Sequence, residues 1–283
     1  MIRQKSFEKE TPTLYLVPTP IGNLQEMTPR ALDVLKAVDI IAAEDTRNTK
    51  KLLMAYQIQT PLMSHHEHNQ AESVPRILDL LGEGKSIAVV SDAGYPLISD
   101  PGQWLVKEVI SKGYPVVSIS GANAAMNALV ASGLSTQHYM FFGFLEAKSS
   151  KRKKQLLEME HYPYTIIFYE APHRICDTLK DLLEVFGNRT MCLARELTKV
   201  HEEYIRGSIA EVLEVADCLK GEMVLIVEGN QKEEVEIDME EACERVDCLI
   251  NEGMKTKQAI TTVSKEIGCK KNELYDYYHK QKD

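Results

Sequence analysis

Several things are scarce in this 283-residue chain, and each scarcity excludes a class of protein. There is one tryptophan, and aromatic residues make up only 7%. No apolar run approaches the roughly 20 residues that a membrane-spanning helix requires. The stretch from Met1 to Glu10 lacks an apolar centre, so no secretory leader is expected. Six cysteines are scattered from Cys176 to Cys269 without CxxC pairs or zinc-ligand spacing. Reduced thiols, no metal and a cytoplasmic location are the expectations. Neither GxGxxG nor the P-loop pattern occurs, so a dinucleotide or nucleoside-triphosphate site has little support.

Charge is present in quantity but out of balance, with a formal net charge of -9. Such a sum argues against a polyanionic partner until its distribution is considered. Acid concentrates between Glu233 and Glu241, whereas bases cluster in Lys148–Lys154 and between Lys255 and Lys282. Taken alone, each run reads first as a solvated face. Nucleic acid is neither excluded nor demanded.

Short apolar runs alternate with amphipathic segments, which predicts α/β architecture with a mostly parallel sheet covered on both faces. Strands are expected at Thr13–Pro18, Asp39–Ala43, Ser86–Val90 and Val116–Ile119. A helix starting at Pro29 behind the N-cap Thr28 lies between the first two. A second cycle has strands at Tyr164–Tyr169, Arg189–Ala194 and Met223–Glu228. The expected division is a tail at 1–12, a first α/β domain at 13–131, a linker at 132–150, a second α/β domain at 151–232 and a helical extension at 233–283. Within the extension, the spacing of Val263, Ile267, Leu274 and Tyr278 around a glycine turn suits a helix-turn-helix, a pattern shared with plain packing modules.

Three loops follow predicted strands, where open α/β sheets bind ligands: Pro18–Leu24, Ser91–Gly102 and Ser120–Ala125. Their small residues allow a ligand close to the backbone, although each loop alone also suits a tight strand-to-helix turn. Polar candidates lie elsewhere in the first half. Asp45 and Arg47 follow the second strand, and His66 and Glu67 precede a helix. His66 or Asp45 is a candidate proton acceptor, Glu67 a carboxylate that could orient the histidine, and Arg47 a phosphate holder. In the second half, Arg195 and Lys199 are candidate phosphate contacts; a salt-bridged loop is the plainer reading.

The motifs VPTPIGNL (Val17–Leu24), AEDTR (Ala43–Arg47), HEHN (His66–Asn69), SDAGYPLISDPG (Ser91–Gly102), FYEAPHR (Phe168–Arg174) and ARELTKVHEE (Ala194–Glu203) occur in that order. Together they resemble the ribosomal RNA small subunit methyltransferase I family, whose fold is similar to that of the tetrapyrrole methylases. The resemblance implies two α/β domains of the tetrapyrrole-methylase type with a cleft between them, plus a small helix-turn-helix-like C-terminal unit. It implies S-adenosylmethionine (SAM) as cofactor and a homodimer. The implied reaction is 2'-O-methylation of a cytidine ribose in the decoding region of 16S rRNA, free or in the 30S subunit. By position, Pro20, Ala93, Gly94, Tyr95, Ile98, Asp100, Asn123, Ala124, Phe168, Tyr169 and Met223 would hold SAM. Tyr95 stands where the family usually has threonine, and Ser120 and Asn123 depart from the common third loop. Two other readings remain: a tetrapyrrole C-methyltransferase on the same fold, and a non-enzymatic nucleic-acid-binding regulator using the C-terminal helices.

Overall fold

The computed structural model describes residues 3–6, 11–99, 102–231, 239–267 and 269–281. The chain divides into two compact units, Met1–Asn230 and Gln231–Asp283. Most of the acidic run expected to link them lies outside the described residues.

The first unit starts with β1 (Leu14–Leu16), α1 (Pro29–Ala37), β2 (Ile40–Ala43), α2 (Thr46–Ala55) and β3 (Leu62–Ser64). It continues through α3 (Gln70–Gly82), β4 (Ile87–Val90), α4 (Gln103–Ser111), β5 (Val116–Ser118) and α5 (Ala124–Ser132). The strands form a five-stranded sheet in the order β3-β2-β4-β1-β5, and each adjacent pair is parallel. Thr28 caps α1 as its sequence predicts, Oγ1 accepting from the Ala31 amide at 3.2 Å. Period-two alternation serves both faces of the sheet. Ile41, Ala43, Ala88 and Val90 pack with α1 on one face. Ala42, Ile87 and Val89 pack with α3 and α4 on the other.

The second sheet contains β6 (Tyr139–Phe144), β7 (Thr165–Glu170), β8 (Thr190–Arg195), β9 (Glu203–Ser208) and β10 (Met223–Val227). Helices α6 (Ser149–Leu157), α7 (Ile175–Phe186) and α8 (Ile209–Val215) accompany it. Its order is β6-β7-β10-β8-β9. Only β6 and β7 pair in parallel; β7-β10, β10-β8 and β8-β9 are antiparallel. The expected mostly parallel arrangement therefore holds for the first sheet and not for the second. The charged motif after β8 is a reversal joining two antiparallel strands, a connection too short for a parallel pair.

The stretch expected as a linker supplies edge strand β6, so residues 132–150 do more than connect. Helix α5, expected with the first domain, packs Ala125, Ala128 and Leu129 against Ile167, Cys192, Val224 and Ile226 of the second sheet. The opposite face of that sheet packs Phe168, Leu193 and Leu225 against Leu179 and Leu182 of α7. The basic run on α6 is not wholly solvated. Arg152 is 2% exposed; its Nε donates to Asp181 Oδ2 at 2.7 Å and its Nη1 to the Ala147 carbonyl at 3.1 Å.

The second unit comprises α9 (Met239–Asn251), α10 (Thr256–Glu266) and α11 (Lys271–Lys280). Ala242, Val246, Ile260, Val263, Leu274 and Tyr278 form its core. Tyr278 donates to Asp247, tying the last helix to the first. Among the described residues, no helix is long and apolar enough to cross a membrane.

Candidate active site

The three loops identified from the sequence leave the carboxyl ends of β1, β4 and β5 and are knitted together by hydrogen bonds. Thr19 and Gly94 exchange backbone hydrogen bonds at 2.9 and 3.0 Å, and Thr19 Oγ1 donates to the Ser91 carbonyl at 3.0 Å. The Gly121 amide donates to Tyr95 Oη at 3.1 Å, joining the second loop to the third. The residue that departs from the resemblance thus acts as a brace. Tyr95→Phe removes the acceptor and costs about 1 kcal/mol of loop order. Ligand affinity in calorimetry is expected to fall about fivefold; unchanged affinity would mean that the brace is idle.

Backbone strain gathers beside these loops. Leu97 (φ 74°) and Ser99 (φ 64°) follow β4, while Glu196 (φ 50°) and Thr198 (φ 68°) follow β8. Non-glycine residues hold such angles only where surrounding structure enforces them, commonly at functional sites.

Between the loops and the second sheet lies a cavity of about 360 Å³. The first-sheet loops contribute Ile21, Ala93, Gly94, Tyr95 and Ile98; the second half contributes Phe144, Tyr169, Leu197, Met223 and Val224. Asn123 and Ala124 line it at the start of α5, where Asn123 Oδ1 caps the helix by accepting from the Met126 amide at 3.0 Å. Four carboxylate residues, Glu44, Asp92, Glu170 and Glu222, also line it. Apolar walls with a few placed polar groups are the usual form of a small-molecule site. Glu170 is fully engaged by Arg174, by Thr178 Oγ1 at 2.6 Å and by the Ala171 amide at 2.7 Å. Glu222 is held by Lys199 Nζ at 2.8 Å.

Of the residues expected to hold a cofactor, Ala93, Gly94, Tyr95, Ile98, Asn123, Ala124, Tyr169 and Met223 line this cavity. Pro20 lines a neighbouring cavity of about 150 Å³. Phe168 belongs to the core beneath α7, because alternation along β7 turns its ring away from the face that carries Tyr169. Asp100 lies outside the described residues. Sequence reasoning missed Glu44 and Asp92, although both stand inside quoted motifs. It also missed Phe144 and Glu222, which carry no motif at all.

Asp45, Arg47, His66 and Glu67 follow the paired strands β2 and β3, where Ala43 lies opposite Ser64, but none of them lines the cavity. Asp45 caps α2 through the Arg47 amide and binds the Arg47 side chain at 2.7 Å. The side-chain bond from Arg47, then the bond from its amide, holds the Asp45 carboxyl well down, to about 2. A carboxylate held this low accepts a proton only weakly, and Asp45 is already engaged by Arg47. Neither His66 nor Glu67 lines the cavity; His66 starts a short 3-10 turn and Glu67 is exposed. Arg195 pairs with Glu203, and Lys199 pairs with Glu196 and Glu222, so both expected phosphate contacts are occupied by carboxylates.

His65, not His66, is the buried histidine. Its Nδ1 lies 2.8 Å from Ser73 Oγ, and its Nε2 is buried without a partner among the described residues. Burial, and then the charge of His66, pushes the His65 imidazole below its ordinary 6.5. The folded protein therefore binds this proton less readily than the unfolded chain does. Its contribution is present above pH 6.5 and is lost as pH falls from there toward the depressed folded value. The urea midpoint should drop between pH 7.5 and 5.5 (about those values), and less so in His65→Gln. Identical pH profiles for the two proteins would refute the assignment.

Residues 13–213 match the family Tetrapyrrole (Corrin/Porphyrin) Methylases. Proteins named "Ribosomal RNA small subunit methyltransferase I" are similar along almost the whole chain. The one from Bacillus subtilis (strain 168) is 49% identical, covering 98% of each chain. The one from Vibrio cholerae serotype O1 is 44% identical over the same shares. The chain belongs to the ribosomal RNA small subunit methyltransferase I family. Solved structures place this family's member among the tetrapyrrole methylases by fold. The methyltransferase CobJ aligns with TM-score 0.58 at 16% identity, covering 77% of this chain and 94% of its own. Uroporphyrin-III C-methyl transferase from Thermus thermophilus, complexed with S-adenyl homocysteine, aligns with TM-score 0.54 at 16% identity, covering 76% and 97%. The family resemblance read from six motifs and the α/β fold are both borne out.

Proposed function

We propose that this methyltransferase uses SAM to methylate the 2'-hydroxyl of a cytidine ribose in 16S rRNA, acting in the cytoplasm as a homodimer. The observation that carries the reading is the cavity between the first-sheet loops and β7, β10 and the loop after β8, in a chain nearly half identical to proteins named as small-subunit ribosomal RNA methyltransferases.

The residues present suit SAM. Ile21, Ile98, Leu197 and Met223 offer apolar walls for an adenosyl group, and Tyr169 adds an aromatic one. The start of α5 at Asn123 and Ala124 is the positive end of a helix dipole, favourable for the ligand's carboxylate. Glu44 and Asp92, which have no ion-pair partner among the described residues, give the lining a negative charge that suits a sulfonium and an ammonium. When bound, SAM supplies a methyl group already activated by positively charged sulfur.

The protein's task is alignment of acceptor and donor, which is worth roughly 7–11 kcal/mol when geometry is fixed beforehand. The knitted loops provide that rigidity on one side. Lys199 serves from the other by holding Glu222 at the cavity wall rather than by binding phosphate. Arg47 is 87% exposed at its side chain, and its Nη1 takes no part in the Asp45 pair, which leaves it able to meet a phosphate.

The test is methyl transfer from labelled SAM to 30S subunits and to free 16S rRNA, followed by nucleotide mapping. Label on one cytidine ribose is expected. No label on either RNA, with SAM still bound tightly, would overturn the reading in favour of a small porphyrinoid acceptor.

A further inference from the structure

The main cavity has a smaller neighbour of about 150 Å³ that the donor reading does not use. Its walls come from the first loop (Thr19, Pro20, Gly22, Leu24), from α2 (Asn48, Thr49, Leu52) and from Asp92 after β4. Asp92 lines both cavities. Groups seated in the two cavities therefore both border Asp92.

We propose that the smaller cavity receives the ribose of the acceptor nucleotide, with Asn48 and Asp92 placing its hydroxyl at the mouth of the donor site. The inference rests on the function proposed above and names where its substrate sits.

Size is the first support. A space of about 150 Å³ lies well below the roughly 300–1,000 Å³ of pockets that enclose drug-sized ligands. It suits one ring-sized fragment and not a porphyrinoid macrocycle. Proteins that modify or read RNA commonly take a single unstacked nucleotide into such a pocket.

Chemistry is the second. Asn48 Nδ2 donates to Asp92 Oδ2 at 3.0 Å, and the Asp92 amide donates to Glu44 Oε2 at 3.3 Å. The carboxylate is thereby oriented on one side, while Oδ1 carries no hydrogen bond among the described residues. An exposed Oδ1 can accept a hydrogen bond from a ribose hydroxyl and then its proton: the O–H bond breaks, and its electron pair stays on the ribose oxygen. Thr49 and Asn48 bring polar side chains to the sugar, and Leu24 and Leu52 supply apolar contacts beside them. Arg47 stands one residue before Asn48 at the same helix start, within reach of a flanking phosphate.

The experiment uses the full-length protein, a short oligoribonucleotide containing the mapped target, and S-adenosylhomocysteine as the probe of the main cavity. Leu52→Trp fills the smaller cavity. S-adenosylhomocysteine affinity should then stay within about twofold of wild type, while oligonucleotide affinity falls at least about tenfold. Asp92→Asn should keep the oligonucleotide KM within about threefold and lower kcat about a hundredfold, the signature of a lost proton acceptor. Asn48→Ala adds no bulk and should lower kcat/KM about tenfold, which keeps the test valid if the tryptophan disturbs folding. Wild-type oligonucleotide affinity in Leu52→Trp, or wild-type turnover in Asp92→Asn, would overturn the inference. Failure of the wild-type protein to label any RNA overturns the function reading and this inference with it. Labelling by wild type and Leu52→Trp at equal rates overturns the inference alone.

Discussion

Gly121→Ala is expected to weaken SAM or S-adenosylhomocysteine binding by about 10- to 100-fold while leaving a folded protein. A Cβ at this position would meet Pro18 Cγ at 2.4 Å and Pro18 Cβ at 3.1 Å. Real Cβ atoms do not approach so closely, and a proline ring cannot swing aside as a flexible side chain can. Either the first or the third loop has to move. Overpacking of this kind costs about 1–3 kcal/mol. Here it falls on loops whose mutual position shapes the cavity, because Gly121 also donates to Tyr95 and Asn123 starts the lining of α5. Calorimetric titration checks the affinity, and thermal unfolding checks the fold. Wild-type affinity would show that the loops absorb the methyl group without consequence for the site.

Arg152→Ala is expected to destabilise the first unit by roughly 3–5 kcal/mol, the usual cost of leaving a buried partner charge uncompensated. Arg152 and Asp181 are exposed by 2% and 8% at their side chains, and the bond between them is 2.7 Å. Asp181 would keep Ser149 Oγ at 3.0 Å and Lys153 Nζ at 3.6 Å, which places the loss toward the lower end of that range. At about 2–4 °C per kcal/mol for a domain of this size, Tm should fall by about 6–20 °C. The double change Arg152→Met with Asp181→Leu removes both charges and should recover much of the loss. If the double variant is no more stable than Arg152→Ala, the loss comes from packing rather than from an orphaned charge.

The motif-bearing loops were legible because small residues at the ends of predicted parallel strands have one common use, and eight of the expected cofactor residues do share a cavity. Other positions were illegible for identifiable reasons. At Phe168 and Tyr169, alternation says that the two rings point apart but not which one meets the ligand. Arg152 sits within a run of lysines, and only Asp181 on another helix reveals that it turns inward. Strand β6 ends Phe141-Phe142-Gly143-Phe144, with an irregular register between Phe141 and Gly143 that breaks the alternation and conceals the strand. Edge strand β9 carries Glu203 and Arg206, charges that protect an edge and hide it from pattern reading.

The candidate base shows the same boundary. Asp45 and His66 have the right chemistry, yet their uses are decided by neighbours: Asp45 holds Arg47, and His66 starts a 3-10 turn and does not line the cavity. Asp92 and Asn48 are 44 residues apart in sequence and 3.0 Å apart in space. By itself, the sequence determined the family, the alternation of strands and helices, the caps and the small-residue loops, because these depend on local chemistry and on ordered motifs. Tertiary structure alone decided which face each ring presents, which charges are spent on one another and which carboxylate lies between two cavities. Those outcomes depend on distances between segments far apart in the chain, and local patterning carries no information about them.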